Sequence, residues 1–477
     1  MIIAGGGSRE AMHRARDRVL VVQPDGPSRT GGELEAAVTG LARALDKRGL
    51  RGRRVGLWFW NSAAAIEAHL AVEWIGATRV PVDPGAPPAE AAAVFEAADV
   101  DGVVVDGAHL SGAPPGALLH DEDQPLAAAG SLDMGSVSAR ATALLYPRVA
   151  AEGDLVAVPI SYGNWAAAMD INASLYRSGA YGPGFDSDER FLTAQQLMHG
   201  TGMTGTFPFL QMGLPQVVLR RFDAAAVLEA ILRFGVSATF FVPGMVTRLA
   251  RLAADLDRRV APPLRRIVYG GGPIAVEDLT QAVEVLGPVL VQTYGRFEGG
   301  WPLAVLGVDD HVAIARGRSG RARSCGRPIP QTELRLRPIP GQPNGRGELC
   351  VRNAMVVSEF ADPDGWCGLG DLASLDGDGY LYFAGRLDGM INTGAYHVYP
   401  REVEQTISAV PTVRHVVVRG EPDPTWGQAV TAYVVPSPDA PEDLIGIVRA
   451  ECERRIARYK IPKRIHLVPS LDAVPTY

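Results

Sequence analysis

The sequence predicts an α/β protein, with a large N-terminal domain of αβ sheets that carries a small β-barrel-like subdomain, followed by a small mobile α+β domain. Three observations predict it. Short β-branched runs alternate with longer Ala/Leu/Glu-rich segments through the first part of the chain, as in parallel sheets with crossover helices. From about residue 325 short strands alternate with Gly, Pro and Asn turns, as in hairpins. Beyond residue 386 two strands precede one long helical segment.

The alternating segments predict three strand-helix-strand units in order. The first unit is RRVGLWFW, SAAAIEAHLAVEWIG and ATRVPVDP. The second is LPQVVLR, DAAAVLEAILRFG and ATFFVPG, and the third is RRIVYGGG, VEDLTQAVEVLG and PVLVQTYG. Because parallel strands need a crossover connection, each unit predicts a βαβ fold with the helix on one face of its sheet.

The remaining segments predict the smaller parts of the chain. TELRLRPIPGQPNGRGELCVR and GDGYLYFAGR predict hairpins in a β-rich subdomain over 325–386. VRHVVVRG, QAVTAYVVP and EDLIGIVRAECERRIARY then predict a compact α+β domain. The predicted domains are therefore 1–386 and 388–477. The glycine run MIIAGGGSRE has no βαβ acid after it, so it is not a dinucleotide fingerprint and is predicted to be a frayed terminus.

Composition narrows the partners. The 477 residues are 47% hydrophobic and carry a net charge of -7 without a basic block, which argues against nucleic acid. No run approaches the roughly 18 apolar residues of a membrane helix, and the first residues lack the apolar run of a signal peptide. A cytoplasmic protein without a membrane partner is predicted. The four cysteines have no metal-ligand spacing and are predicted to be buried thiols.

One continuous segment carries the strongest family signal. Residues 368–404, GLGDLASLDGDGYLYFAGRLDGMINTGAYHVYPREVE, resemble the hinge and signature region of the adenylate-forming superfamily. That superfamily includes acyl-CoA synthetases, aryl acid ligases, luciferases and stand-alone adenylation domains. Supporting matches along nearly the whole chain are VPVDP, LMHGTGM, VYGGGPI, YGRFE, SCGRPIPQTELRL and RYKIPKRI.

The resemblance implies cofactors, partners and a moving domain. ATP or AMP and Mg²⁺ are the implied cofactors, and a small carboxylic acid is the implied substrate. CoA, a carrier protein or an amine is the implied acceptor. The small C-terminal domain of such proteins rotates about a hinge aspartate, which is Asp388 in this sequence.

The resemblance also assigns nucleotide contacts. Gly270, Gly271 and Gly272 lack a Cβ and would let the main chain approach the adenine. A plain tight turn after a strand is the alternative interpretation of these glycines. Tyr294, followed by Gly295, would stack on the adenine.

Four polar residues complete the implied catalytic machinery. Asp371 would accept hydrogen bonds from the ribose hydroxyls, and Arg386 would contact ribose and phosphate. Glu298 would bind Mg²⁺. His199 would border the acyl pocket and the phosphate, although a purely structural histidine is the alternative. The acyl pocket is predicted to draw on the following residues: His199, Phe240, Val242, Met245, Tyr294 and Trp301.

The sequence departs from the family where the β- and γ-phosphates would lie. After Tyr146 the family has a Ser/Thr/Gly-rich loop with a lysine, whereas this chain has PRVAAEGDLVAV. Its proline has no N–H, and Glu152 and Asp154 would repel a polyphosphate. Two family threonines are replaced by Phe297 and Leu369, and the chain ends at VPTY without the family's C-terminal lysine.

Three functional hypotheses stay open. One is a divergent ligase of specialised metabolism that forms or uses the acyl-adenylate of a small acid, with Arg148 or Arg296 replacing a lost cation. The second is a member that does not activate with ATP, but binds AMP, an acyl-adenylate or an acyl thioester for transfer, condensation or hydrolysis, with His199 as acid or base. The third is a silent scaffold or regulatory protein, against which the retained Glu298 counts. LMHGTGM lacks the aspartate of amino-acid-activating relatives, which favours an acyl or aryl acid.

Overall fold

The computed structural model describes residues 2–121, 132–134, 136–149, 155–257, 263–272, 274–339, 345–387, 389–394 and 396–469. The α-helices in this part of the chain are α1 (Gly6–Arg14), α2 (Gly31–Lys47), α3 (Ala63–Trp74), α4 (Pro88–Ala97), α5 (Tyr162–Arg177), α6 (Gly200–Gln211), α7 (Ala224–Phe234), α8 (Pro243–Asp255), α9 (Val276–Leu286), α10 (Val308–Ala315), α11 (Pro400–Ser408) and α12 (Leu444–Arg455).

The strands up to the end of the large sheet's parallel part are β1 (Ile2–Ile3), β2 (Val19–Val22), β3 (Arg29–Thr30), β4 (Arg54–Trp58), β5 (Thr78–Val82), β6 (Gly102–Val105), β7 (Leu118–Leu119), β8 (Ser136–Val137), β9 (Thr142–Val149), β10 (Leu155–Ser161), β11 (Phe191–Thr193), β12 (Gln216–Val218), β13 (Ala238–Phe241), β14 (Arg266–Gly270) and β15 (Leu290–Arg296). The later strands are β16 (Gly300–Leu306), β17 (Ser324–Pro328), β18 (Glu333–Pro338), β19 (Arg346–Arg352), β20 (Cys367–Leu375), β21 (Leu381–Arg386), β22 (Ile391–Thr393), β23 (Tyr396–Val398), β24 (Val413–Asp423), β25 (Gly427–Pro436) and β26 (Arg464–Leu467).

A six-stranded sheet forms around the first predicted βαβ unit, in the order β10-β9-β5-β4-β6-β7. Strand β4 is parallel to β5 and β6, and α3 connects β4 to β5 as the sequence predicted. Every residue of α3 is buried: most of its side chains are apolar, and its two glutamates are paired, Glu67 with Arg29 and His120 and Glu73 with Arg79. At the other edge β9 and β10 form an antiparallel hairpin.

A second, larger sheet runs in the order β18-β19-β20-β21-β17-β16-β15-β14-β13-β11-β12-β2-β3. Its centre is parallel, from β2 through β12, β11, β13 and β14 to β15, and it contains both of the other predicted βαβ units. Pairing is antiparallel from β15 onward. The predicted hairpins near the end of the N-terminal part are present as β18/β19 and β20/β21. In the residues described, they extend the large sheet.

The C-terminal part has its own sheet and core. Strands β23, β22, β25 and β24 form a path, and β26 pairs with β25. Helices α11 and α12 pack beside this sheet over buried aliphatic residues that include Val403, Val434 and Val448. The mixed α/β fold with a small C-terminal α+β unit is therefore the one predicted. Among the described residues, no helix is long and apolar enough to cross a membrane.

The prediction of a frayed N-terminal segment was wrong. Strand β1 pairs with β8, and α1 begins at Gly6, inside the glycine run. The indole Nε1 of Trp74 donates to Ser8 Oγ over 3.1 Å. Gly5 has φ +66, and a Cβ there would lie 2.1 Å from Cδ1 of Trp74. The glycines therefore permit tight packing against a buried tryptophan, and they do not mark disorder.

Candidate active site

A cavity of about 180 Å³ lies between the N-terminal part of the chain and the part beyond residue 390. The N-terminal part contributes residues from β5, β9, β10, α5 and the start of α6. Tyr396, Tyr399, Tyr459 and Lys460 close it from the C-terminal part. Rings from the two parts meet at the wall, where Tyr396 contacts His199 edge to face at 5.0 Å between ring centroids.

The structure brings many of the predicted residues to this cavity. Those that line it are His199, Val242, Gly271, Gly295, Glu298 and Trp301. Phe240 does not line it, but packs against Trp301 with ring centroids 6.1 Å apart. Met245 does not line it either, and packs against the apolar core between the large sheet and α8.

The three adjacent glycines have different surroundings. Gly271 lines the cavity with φ +87, a conformation that residues with a Cβ rarely adopt. A Cβ on Gly270 would lie 2.6 Å from the carbonyl oxygen of Thr293. A Cβ on Gly272 would lie 2.6 Å from the carbonyl oxygen of Gly394, which belongs to the C-terminal part. Only Gly271 of the three faces the cavity.

Tyr294, Asp371 and Arg386 do not line the cavity; they form a hydrogen-bonded cluster that begins at Tyr294, next to the lining residue Gly295. The hydroxyl of Tyr294 donates to Oδ2 of Asp371, and Arg386 donates to Oδ1 of the same carboxylate. Arg386 also donates to the carbonyl oxygen of Leu369 over 3.0 Å. Asp371 is 2% exposed. Burial, together with the adjacent Asp371 carboxylate, raises the pKa of Tyr294 well above its ordinary value, so the hydroxyl keeps its proton.

Four residues of the cavity wall carry a buried nitrogen without a hydrogen-bond partner in the part of the chain described. They are Gln195 Nε2, His199 Nε2, Arg296 Nε and Trp301 Nε1. The amide, guanidinium and indole nitrogens can act only as donors. A buried unpaired donor costs about 1–3 kcal/mol, so a wall with several of them favours a ligand rich in acceptor oxygens. Sequence reasoning missed Gln195, since nothing in AQQLMHGTGM distinguishes it from Gln196.

His199 lies at the N-cap of α6 with its ring in the cavity wall. Its Nδ1 is 3.4 Å from the hydroxyl oxygen of Tyr146. Burial lowers the pKa of His199, and the Asp83 carboxylate opposes this only partly. The imidazole is therefore neutral near pH 7, and its unpaired Nε2 belongs to the cavity wall.

An aromatic pair occupies the side of the cavity where the family's phosphate loop was expected. Tyr146 and Phe297 stack with ring centroids 3.7 Å apart and an interplanar angle of 21°. Phe297 also presses on Gly200, where a Cβ would lie 2.6 Å from its Cζ. The segment after Tyr146 continues as β9 and pairs with β10 in the register Tyr146 to Val158 through Val149 to Leu155. Ser161 caps α5, the helix that follows this hairpin.

In the described residues, both cations that line the cavity are paired. Arg296 Nη2 lies 3.2 Å from Glu298 Oε1. Lys460 Nζ lies 2.6 Å from Oε1 of Glu90 and 2.6 Å from Oε1 of Glu402. Burial lowers the pKa of Lys460, but Tyr459 and the two carboxylates raise it by more, and the net pKa is well above its ordinary value. The lysine therefore remains charged.

Several predicted features fall elsewhere. Asp388, the predicted hinge, and the side chain of Arg148 lie outside the described residues. Within the described ranges, no group of three or more His, Cys, Asp and Glu side chains could hold a metal ion. Glu298 alone would therefore need substrate oxygens to complete a Mg²⁺ shell.

Comparison with known proteins agrees with this architecture. The family model of AMP-binding enzymes matches residues 8–360, and that of the AMP-binding enzyme C-terminal domain matches residues 402–476. A feruloyl-CoA synthase from an Amycolatopsis species is 30% identical, over 97% of this chain and 94% of its own. The medium/long-chain-fatty-acid–CoA ligase FadD8 of Mycobacterium tuberculosis is 33% identical over 60% of this chain. The matched region covers 52% of that relative's own length.

A solved structure extends the likeness to the whole fold. The amide bond synthetase McbA from Marinactinospora thermotolerans superposes with a TM-score of 0.85 at 30% identity, covering 98% of this chain and 97% of that one. Two family models together match most of the chain, and its fold is shared over nearly its full length. These findings establish the family. The chain belongs to the AMP-binding enzymes, the superfamily of adenylate-forming ligases.

Proposed function

We propose that this protein transfers the acyl group of a small carboxylic acid from its acyl-adenylate to a nucleophilic acceptor. The ring of unpaired nitrogens around the cavity carries this proposal. An acyl-adenylate presents a carbonyl oxygen and phosphate oxygens, which are the acceptors that Gln195, Arg296 and Trp301 lack. Donors fixed in place before the ligand arrives can stabilise charge that develops on those oxygens.

The adenosine monophosphate part of the ligand fits the residues on the large sheet. Gly271 presents bare backbone to the cavity, and Gly295 does the same from the end of β15. Asp371 holds both of its oxygens close to Tyr294 and Arg386. A carboxylate has about four lone-pair sites, so it can still accept from ribose hydroxyls. Arg386 would then lie near the ribose and the phosphate.

The apolar part of the cavity wall favours a small or aromatic acid, because the same cavity must also hold the AMP part of the ligand. Trp301, Val242 and Met203 supply apolar wall. The likeness to a feruloyl-CoA synthase and to an amide bond synthetase supports an aryl or acyl acid, with CoA or an amine as acceptor.

His199 is the proposed general base. The acceptor's thiol or amine attacks the acyl carbon, and a new C–S or C–N bond forms. The C–O bond to the phosphate breaks and AMP leaves. Where Nδ1 of His199 donates its proton to Tyr146, the neutral ring presents Nε2 as an acceptor for the proton of the nucleophile.

Glycine substitutions at two positions test this proposal. Gly271 and Gly317 both have positive φ, at +87 and +64, but only Gly271 lines the cavity. We expect Gly271→Ala to weaken binding of AMP and of an acyl-sulfamoyl adenosine at least tenfold by calorimetry. Gly317→Ala introduces comparable backbone strain in open space and should leave both affinities unchanged. Equal affinities in the two variants would contradict the proposal.

A further inference from the structure

We infer that this site accepts the monophosphate of an acyl-adenylate and excludes the triphosphate of ATP, so that the acyl substrate reaches this protein already activated. The inference rests on the proposed function, because it concerns which nucleotide the same cavity takes. Three independent features of the cavity support it: the backbone of the segment after Tyr146, the packing of Phe297, and the charge of the wall.

The segment after Tyr146 does not form an anion-binding loop up to residue 149. Its backbone is committed to an antiparallel ladder in which Pro147 opposes Ala157 and Val149 opposes Leu155. Phosphate loops bind anions because several successive N–H groups turn toward one point. In a strand, successive N–H groups point to opposite sides, and Pro147 has none. The ladder therefore offers no such nest next to the cavity.

The Phe297 ring fills space and supplies no donor. It stacks on Tyr146 at 3.7 Å and lies so close to Gly200 that even a methyl group there would overlap it. The hydroxyl oxygen of Tyr146 lies 3.4 Å from His199 Nδ1 and accepts a hydrogen bond from it in the tautomer proposed above. The segments that contain Tyr146, Gly200 and Phe297 thus meet in one aromatic contact. Phe297 directly precedes Glu298, so this contact lies on the Glu298 side of the cavity. A polyphosphate needs cations and N–H groups, and this contact offers apolar surface.

The charge of the wall opposes a polyanion. In the described part of the wall, two cations, Arg296 and Lys460, face four carboxylates, which are Asp83, Glu90, Glu298 and Glu402. Arg296 is paired with Glu298, and Lys460 with the other two glutamates. Since like charges repel more strongly where water is scarce, each further phosphate raises the cost of binding. An acyl-adenylate has a single phosphate, so it brings less negative charge into the cavity than the triphosphate of ATP.

Mg²⁺ does not change this balance on the residues described. The ion takes few protein ligands and relies on phosphate oxygens and water for the rest. Glu298 is held by Arg296, and no further carboxylate cluster forms with it in the described ranges. Mg²⁺ would therefore bind only together with a triphosphate, which the cavity disfavours.

The inference places the protein second in a reaction sequence. A separate enzyme that joins a carboxylic acid to AMP, releasing pyrophosphate, must supply the substrate. This protein then forms the thioester or amide and releases AMP.

Comparative titration tests the inference. The full chain is titrated with AMP, with ATP and Mg²⁺, and with benzoyl-sulfamoyl adenosine as the acyl-adenylate mimic. In parallel, pyrophosphate release is measured with a panel of aryl and aliphatic acids. We expect ATP to bind at least about tenfold more weakly than AMP, the mimic to bind most tightly, and no acid to release pyrophosphate.

Matched variants test the cause. Phe297→Thr removes the ring and supplies a hydroxyl, and should narrow the preference for AMP over ATP by about threefold or more. Phe297→Leu keeps an apolar side chain and should narrow it less. Phe383→Thr replaces an exposed ring on β21 and should leave the preference for AMP over ATP unchanged. Thermal unfolding of each variant checks that the chain is folded before its affinities are compared.

The outcomes separate this inference from the proposed function. ATP binding as tight as that of AMP, or acid-dependent pyrophosphate release by the unaltered protein, overturns the exclusion of ATP and leaves the acyl-transfer proposal standing. Failure of both AMP and the mimic to bind overturns the acyl-transfer proposal itself. An unchanged preference in Phe297→Thr overturns the role assigned to the ring.

Discussion

The ammonium nitrogen of Lys460 lies 2.6 Å from a carboxylate oxygen of Glu90, although 370 residues of chain separate the two. Glu402 on α11 shares the same ammonium at 2.6 Å. One buried cation thus joins α4 of the N-terminal part to the C-terminal part, at the wall of the cavity. The position of the C-terminal part is therefore coupled to the charge state of the site.

Lys460→Met should destabilise the protein strongly. The substitution keeps most of the apolar stem and leaves Glu90 and Glu402 buried without their cation, for which removal of one partner typically costs about 3–5 kcal/mol. We expect a lower unfolding free energy by denaturant titration at pH 7.5, with part of the loss recovered at pH 5, because burial raises the pKa of the Glu90 carboxyl. Lys47→Met, at the exposed end of α2, is the matched control. Equal stability of the two variants would show that the bridge contributes nothing.

Gly200→Ala tests whether the Phe297 ring requires glycine as the first residue of α6. In an unobstructed helix, alanine would be favoured over glycine by about 1 kcal/mol. Here the new Cβ would lie 2.6 Å from the ring, and overpacking of this kind costs about 1–3 kcal/mol. We therefore expect a lower melting temperature. In the Phe297→Leu background the same change should become neutral or stabilising, and a double-mutant cycle measures the coupling.

The overall fold was predictable because its signals are local. The alternation RRVGLWFW, SAAAIEAHLAVEWIG and ATRVPVDP is that of β4, α3 and β5, and each period follows from the geometry of a single element. The N-terminal glycines show where this fails. Their helix is fixed by Trp74, about 70 residues away, and no local pattern contains that contact.

The candidate site was predictable only in part, for the same reason. The family motifs identified Gly271, Glu298 and Trp301 as neighbours of one cavity. They could not predict that Lys460 would reach Glu90, since RYKIPKRI and the start of α4 share no pattern. Nor could they predict that Phe297 would stack on Tyr146. Contacts between segments that are far apart in the chain depend on how the whole core packs. No short stretch of sequence specifies that packing.

His69 should make stability depend on pH. Burial lowers its pKa to about 3, and the charge of Arg79 adds to this, whereas an unfolded histidine titrates near 6.5. Between these values only the unfolded chain binds the proton, so stability is full above about pH 6.5 and falls by about 1.4 kcal/mol per pH unit below it. His69→Leu should reduce the slope of stability against pH by about 1.4 kcal/mol per pH unit in urea titrations between pH 6 and 4. Other buried histidines such as His311, whose pKa burial lowers to about 4, should keep their own contribution. The exposed His13→Leu should not reduce the slope, and an unchanged slope in the first variant would contradict the assignment.

Gln195→Met should raise stability and weaken ligand binding together. The amide of Gln195 is buried at 5% exposure, and its Nε2 has no partner in the described part of the chain. Removal of an unsatisfied polar group recovers desolvation energy of about 1–3 kcal/mol, and methionine has nearly the same shape. If that nitrogen serves the ligand, the same substitution should lower the affinity for the acyl-sulfamoyl adenosine by about tenfold.

The neighbouring glutamine separates these two effects. Gln196 is not part of the cavity wall, and its Nε2 donates to the carbonyl oxygen of Arg220 over 3.1 Å. Gln196→Met should leave the affinity for the mimic unchanged. It removes the bond to Arg220, worth about 1 kcal/mol, but it also removes Oε1, a buried acceptor without a partner in the described residues, so these two effects on stability oppose each other. A gain of stability with a binding defect in Gln195→Met, and no binding defect in Gln196→Met, would mean that the protein tolerates an unpaired donor at residue 195 for the sake of its substrate. A loss of stability in Gln195→Met would mean that Gln195 is a structural residue whose Nε2 has a partner in the folded chain.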